Sequence, residues 1–179
     1  DLVANMAPAG TETAGFTAAT TQDPDVAVTI TGTAPTITEL NAVAAATTGV
    51  VTASISDTAA NLVASLSTAS TDAITITVTD SSADAANLNT IDANGTSVAI
   101  VATSVATITG TAAAIVTAAQ STGITTAANY AATVNSGTAS VAQALILDAD
   151  TTGVITASIA EGDLATLKTL TNANSNNVL

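Results

Sequence analysis

The chain has 179 residues and a formal net charge of −13, with one basic residue, no His and no Cys. Without imidazole or thiol side chains it lacks the common general base and nucleophile, so the composition argues against an enzyme. A single Lys cannot neutralise a phosphate backbone or an anionic lipid surface, which argues against nucleic-acid binding and membrane attraction. Hydrophobic residues make up 47% and charged residues 8%, which excludes the usual disordered chain.

Residues 1–25 differ from the rest of the chain. They contain Pro8, Gly10, the only Phe, at position 16, and the turn sequence Asp23-Pro24-Asp25. Terminal segments of repeat proteins are usually atypical, so we expect an N-terminal cap. The alternative is an extended arm that packs on a neighbouring subunit and covers the edge of an open sheet.

One stretch occurs twice. The ten residues that begin Thr47-Thr48-Gly49 return with two differences at Thr151-Thr152-Gly153, 104 residues further along the chain. Weaker versions of the pattern lie between the two copies, each with an alternating segment, a turn residue and an Ala-rich segment. The turn residues are Gly32, Asp57, Asp80, Gly110, Ser136 and Glu161. This spacing predicts units of about 26 residues over residues 26–163.

Each unit contains two periodicities. Before the turn residue, apolar and hydroxyl side chains alternate, as at Val28, Thr29 and Ile30, which predicts a strand with one buried face. After it, apolar residues are three or four apart, as at Leu40 and Val43, which predicts a helix. The fold class we expect is an α/β repeat, a parallel strand–helix solenoid. The alternative is an all-β solenoid or sandwich, with the Ala-rich segments as loops or further strands.

The hydroxyl side chains of the expected strands would line up on one sheet face. They are Thr29, Thr31, Ser54, Ser56, Thr77, Thr79, Thr107, Thr109 and Thr133. A solvated strand surface is one interpretation. A second is a subunit-packing face, because an uncharged face docks without desolvating charges. A third is a hydroxyl array that binds ice or glycan.

Two pairs of aspartates are the candidate metal ligands: Asp23 with Asp25, and Asp148 with Asp150. Carboxylate oxygens suit calcium. Asp is equally common in turns and helix caps, which gives these residues a structural interpretation as well. We expect no other cofactor.

Residues 164–179 begin with a helical apolar stripe, Leu164, Leu167 and Leu170, and continue as a polar Asn-rich run. This pattern predicts a C-terminal cap helix and a tail. The apolar, uncharged segment 97–119 has the length of a membrane span, but its Ser and Thr content and its repeat pattern argue against insertion.

The sequence Ser56-Asp57-Thr58-Ala59-Ala60-Asn61-Leu62 and the two Thr-Thr-Gly copies belong to units rich in Ala, Thr, Val and Asp. Over residues 26–163 these units resemble large repetitive secreted proteins of Gram-negative bacteria: surface-layer proteins, adhesins and RTX-type exoproteins. The resemblance implies an extracellular or cell-surface location and assigns no role to any residue. The calcium-binding nonapeptide of the RTX group is missing.

Two functions remain after these exclusions. We expect a structural extracellular protein that self-assembles into a filament, sheath or surface layer through head-to-tail subunit contacts, so that its partner is a second copy of itself. The alternative is a spacer or ligand-binding module of a large secreted adhesin, which would contact glycan, ice or calcium.

Overall fold

A computed structural model of the chain describes residues 6–94, 97–171 and 177–179. Within them, parallel strands form two sheets and the Ala-rich segments form seven α-helices. The α/β class is therefore confirmed, and the all-β alternative is wrong. The chain divides into two compact units: unit 1 is Asp1–Thr77 with Ile91–Ile100, and unit 2 is Val78–Thr90 with Val101–Leu179. The division into residues 1–25, 26–163 and 164–179 stays a prediction.

Helices and strands alternate along the described residues, after a 3₁₀ turn at Pro8–Gly10. In chain order the elements are α1 Ala14–Gln22, β1 Val28–Thr29, α2 Ile37–Ala46, β2 Val51–Asp57, α3 Ala59–Ser65, β3 Ala73–Val78, β4 Ser82–Asp84, α4 Ala85–Ala93, β5 Ser97–Ala102, β6 Thr107–Thr111, α5 Ala112–Gln120, β7 Ile124–Thr126, β8 Ala131–Ser136, α6 Val141–Asp150, β9 Ile155–Thr156 and α7 Leu164–Leu167.

The strands of each unit pair side by side. In unit 1 the order is β1-β2-β3-β5, and β1 is the terminal strand of its sheet. In unit 2 the order is β4-β6-β8-β9, with every neighbouring pair parallel. In the parallel pairs β1–β2, β4–β6, β6–β8 and β8–β9, the paired residues are 23 to 25 positions apart in the sequence. Parallel neighbours need a crossover connection, and the helices supply it between several of these strands.

Hydroxyl side chains cap the starts of α1, α2, α3, α5 and α6. Thr36 caps α2 and Ser140 caps α6, and each forms a capping box with the residue three positions later, Glu39 or Gln143. A capping box satisfies backbone N–H groups that have no partner inside the helix. The hydrogen bonds from Thr36 hold the pKa of the Glu39 carboxyl below its usual value. These local signals place the helix starts within the Ala-rich segments.

The core consists of small and branched aliphatic side chains. Along β2, Val51, Ala53 and Ile55 are buried while Thr52 and Ser54 are exposed, so the alternation expected from the sequence is present. The other long strands with described burial and the helices add mainly Ile, Leu, Val and Ala. The only Tyr of the chain is also fully buried.

Three strands were not expected from the sequence: β4, β5 and β7. With them, strand, strand and helix follow one another three times between β3 and α6. The turn residue Asp80 follows the end of β3, whereas Gly110 lies within β6, a strand of the other sheet, and this difference explains the long spacing between them. The strand expected before Glu161 is shorter and earlier than predicted, since β9 contains only two residues.

The described part of residues 1–25 packs within unit 1. Met6 and Ala7 are buried, and the N–H of Ala9 donates to Glu39 Oε1 at 3.3 Å. The turn at Pro8–Gly10 packs on α2. These contacts are of the kind that a cap makes, and contact of this segment with a neighbouring subunit stays a prediction.

At the other end, α7 covers the first four residues of the expected cap helix. Most of the Asn-rich run, residues 172–176, lies outside the described residues.

Candidate functional site

The predicted hydroxyl residues lie on strands or just beyond strand ends, but they do not share one sheet. Thr29, Ser54, Ser56 and Thr77 belong to strands of the first sheet, and Thr107, Thr109 and Thr133 to strands of the second. Thr31 and Thr79 lie just beyond the ends of β1 and β3. None of the nine is buried. The prediction of a single hydroxyl face is therefore wrong, because β4, β6, β8 and β9 form a second sheet.

The register between strands also differs from the one counted from the turn residues. Thr29 pairs with Thr52 rather than with Ser54, and Thr109 rather than Thr107 pairs with Thr133. Backbone hydrogen bonds set the register, and they do not follow the distance to the turn. A register shift between Gly110 and Thr111 then brings the pairing one residue closer to the counted register, since Thr111 pairs with Ser136.

The register in unit 2 does produce one regular row. Thr109, Thr133 and Thr156 are neighbours on β6, β8 and β9, and Asp84 of β4 lies beside Thr109. Neighbouring strands are about 4.8 Å apart, so the three threonines follow one another at that interval. Thr109 Oγ1 also donates to the carbonyl of Ala83 at 3.4 Å. Thr156 was not among the predicted residues.

The edge of the first sheet is formed by β1. The N–H groups of Val28 and Ile30 donate to carbonyl oxygens of the β2 segment, at 2.9 and 2.8 Å. N–H groups alternate in direction along a strand, so the N–H of the exposed Thr29 points away from β2. Among the residues that the structure describes, no strand pairs with the outer side of β1, so this side can accept another strand.

A groove lies beside this edge, in unit 1. Its volume is about 380 Å³, and α1 and β1 supply most of its lining. The lining is largely apolar and includes Met6, Phe16, Ala19, Val26 and Val28. An exposed strand edge next to an apolar groove is the arrangement that binds extended peptide segments in strand-addition complexes.

The first Thr-Thr-Gly copy connects the start of β2 to the segment before β1. Thr47 Oγ1 donates to the carbonyl of Val26 at 2.7 Å and accepts from the N–H of Gly49 at 3.0 Å. The N–H of Thr48 donates to the carbonyl of Pro24 at 2.8 Å. A Cβ on Gly49 would overlap the carbonyl oxygen of Asp25, so Gly permits the close approach of the two segments.

The second copy repeats this geometry in unit 2. Thr151 Oγ1 donates to the carbonyl of Tyr130 at 2.6 Å and accepts from the N–H of Gly153 at 3.0 Å. The N–H of Thr152 donates to the carbonyl of Ala128 at 2.9 Å. A Cβ on Gly153 would overlap the carbonyl oxygen of Tyr130. The sequence copy therefore encodes a structural contact between consecutive segments.

Two polar side chains that the sequence did not single out continue this contact. Asp72 is buried, and its two carboxylate oxygens accept from the N–H groups of Val51 and Ala69, at 2.9 and 2.8 Å. Asn177 accepts from the N–H of Ile155 at 2.8 Å. Val51 and Ile155 are the same position in the two copies, and this equivalence is the only signal that could have pointed to Asp72 and Asn177.

The predicted calcium ligands form two pairs that differ in their surroundings. Asp23 and Asp25 are exposed, and a hydrogen bond between them raises the pKa of Asp23. Asp148 accepts from Asn177 Nδ2 and Asp150 accepts from the hydroxyl of Tyr130, both at 2.8 Å. Within the part of the chain that the structure describes, no three His, Cys, Asp or Glu side chains are grouped to hold a metal. Calcium binding by the pairs stays a prediction.

Burial first, and then the bond to Asp150, raise the pKa of Tyr130 far above its usual value. That phenol therefore acts as a structural donor and not as an acid or base near neutral pH.

Across residues 6–94, 97–171 and 177–179, no helix is both long and apolar enough to cross a membrane. Comparison of the chain with known protein families, with characterised proteins and with solved structures finds no match.

Proposed function

We propose that the chain is a structural protein outside the cell or on its surface, which assembles head to tail into a filament, sheath or surface layer. A parallel strand–helix solenoid of about 26-residue units is the architecture we propose for it. One observation carries the proposal. Parallel strands pair at intervals of 23 to 25 residues in both sheets, and among the described residues β1 forms one edge of the first sheet.

The physical argument concerns the two ends of such a series. An edge strand presents backbone groups that can pair with another chain. If one end of a copy pairs with the opposite end of the next, the contact is heterologous and repeats without closing, which produces a fibre or a layer. A chain with a net charge of −13 repels its copies over most of its surface, so uncharged edges are the favoured meeting points.

The residue inventory supports a structural and non-enzymatic role. Serines are abundant, but the chain has no His to activate one as a nucleophile. The absence of thiols and the single site for a trypsin-like protease, Lys168, suit an oxidising and protease-rich environment. The resemblance to repetitive secreted proteins supports the same location.

A second candidate function rests on the row Thr109, Thr133 and Thr156. Three hydroxyl groups at an interval of about 4.8 Å form a regular array that suits a repeating ligand such as a glycan or an ice surface. In this case the chain acts as a monomeric spacer or binding module of a large adhesin, and calcium at the aspartate pairs would stabilise it.

Electron microscopy and sedimentation velocity of the purified chain, with and without calcium, test the assembling function. We expect ordered polymers, and we expect Thr29→Pro to abolish them, because Pro removes the outward N–H of the edge strand. Thr29→Val, which keeps that N–H, is the matched control and should polymerise. Monomers under all conditions would refute assembly. Glycan binding or inhibition of ice growth that Thr133→Val removes would then favour the second candidate.

A further inference from the structure

The chain contains one motif that neither the fold nor the proposed assembly uses. Asn94 is followed by Gly95 and Thr96, and it is the only Asn in the sequence with Ser or Thr two positions later. Asn-X-Ser/Thr, with any residue except Pro in the middle, is the acceptor sequence of Asn-linked glycosylation. Asp92 lies two positions before Asn94, where bacterial oligosaccharyltransferases favour an acidic residue. The sequence therefore contains a single acceptor, and it has the bacterial form.

The structure places Asn94 where an acceptor side chain can be reached. It is exposed and lies in a turn directly after the end of α4 at Ala93. The side-chain amides of other Asn residues are engaged: those of Asn41, Asn61 and Asn89 donate hydrogen bonds at 2.7 to 2.9 Å. The amide of Asn94 makes no hydrogen bond within the described part of the chain. Its Nδ2 is therefore accessible and is not held by the fold.

A polar groove of about 340 Å³ opens beside Asn94 in unit 1. Its lining includes Ser67, Thr68 and Ser70. The side chains of Ser67 and Ser70 are exposed, and among the described residues neither hydroxyl has a hydrogen-bond partner. Hydroxyl groups both donate and accept, so they can pair with the hydroxyl groups of a sugar. The surface around Asn94 therefore offers space and polar contacts to the first sugar of a glycan.

We propose that Asn94 carries an Asn-linked glycan, which an oligosaccharyltransferase of the producing cell adds during export. The donor is a glycan joined to a lipid diphosphate. Asn94 Nδ2 attacks the anomeric carbon of the first sugar, and a C–N bond forms while the bond between that carbon and the phosphate oxygen breaks. The lipid diphosphate leaves with the electron pair, and a base of the enzyme takes one proton from Nδ2. Nothing is oxidised or reduced.

This inference rests on the location in the proposed function, because Asn-linked glycans are found on surface loops of secreted proteins. It is compatible with assembly through β1. Asn94 lies three residues before β5, which is separated from β1 by β2 and β3. Three strand intervals are about 14 Å, so the edge of β1 stays uncovered while a bulky glycan keeps the turn after α4 in solvent.

Intact mass spectrometry of the chain secreted by the cells that produce it tests the modification. We expect a mass above that of the sequence by the mass of one glycan. Asn94→Gln and Thr96→Val should both lose the added mass, whereas Thr96→Ser should retain it, since Ser keeps the hydroxyl that the acceptor sequence requires. Asn129→Gln is the matched control: Asn129 is also exposed, but Ala131 lies two positions later, so the added mass should remain.

The outcomes separate this inference from the function on which it rests. If the exported chain has the mass of its sequence, the glycan is wrong, and ordered polymers of that chain would leave the assembling function standing. Added mass that survives Asn94→Gln would also overturn the modification of this residue. If the chain stays inside the cell and carries no added mass, the glycan and the extracellular location are both wrong.

Discussion

Replacing Thr151 by Val tests whether the Thr-Thr-Gly copy stabilises the fold through hydrogen bonds. The side chain is 2% exposed, and its hydroxyl bridges the carbonyl of Tyr130 and the N–H of Gly153. Val has nearly the same shape, so packing is retained while the carbonyl of Tyr130 loses this donor inside the core. A buried group left unsatisfied costs about 1–3 kcal/mol, and we expect Thr151→Val to lower the free energy of unfolding by about that amount.

Urea unfolding followed by circular dichroism measures this loss as a shift of the midpoint at constant slope. Thr152→Val is the matched control, because its hydroxyl is exposed and the carbonyl of Ala128 that it contacts keeps the N–H of Thr152. We expect the control to lose less than about 1 kcal/mol. Equal losses in the two variants would refute the view that the buried hydroxyl holds the two segments together.

Two further predictions concern Gly and Tyr. We expect Gly49→Ala to lower the free energy of unfolding by at least about 2 kcal/mol, because the new Cβ would overlap the carbonyl oxygen of Asp25. Gly15→Ala on α1 is the control: its Cβ meets no atom within 4 Å, so the change should be neutral or stabilising. If thermal unfolding shows Gly49→Ala to be no less stable than Gly15→Ala, the close approach at Gly49 is contradicted. The pKa of the Tyr130 phenol is raised by burial and by Asp150, so its stabilising effect is present below the usual Tyr pKa of 10.0 and is lost as pH rises above it. Phenolate absorbance should therefore appear only when the chain unfolds. The free energy of unfolding of Tyr130→Phe should fall less steeply than that of the unmodified chain as the pH rises above 10.0. Ionisation of Tyr130 in the folded chain near pH 10.0 would contradict this.

Local sequence signals predicted local structure well. Alternation of Val28, Thr29 and Ile30 predicted a strand with one buried face, and the spacing of Leu40 and Val43 predicted a helix with those residues inside; the burial of each agrees. The reason is that the periods of two and 3.6 follow from backbone geometry alone.

Features that depend on contacts with distant residues could not be predicted from local patterns. The apolar strand β5 lacks the hydroxyl alternation, and β4 and β7 contain only three residues each, so nothing local distinguished them from loops. Asp72 was not recognised either, because its role depends on the N–H of Val51, which lies 21 residues earlier.

Short sequence periods were enough to predict the α/β class and the buried face of the expected strands, and the near-copy 104 residues along marked the repeated Thr-Thr-Gly stretch. The two sheets, the alignment of Thr109 with Thr133 and Thr156, and the hydrogen bonds of the two Thr-Thr-Gly copies became visible only in the folded chain. The physical reason is that strand register and burial are set by backbone hydrogen bonds between segments more than twenty residues apart, and no local pattern records those bonds.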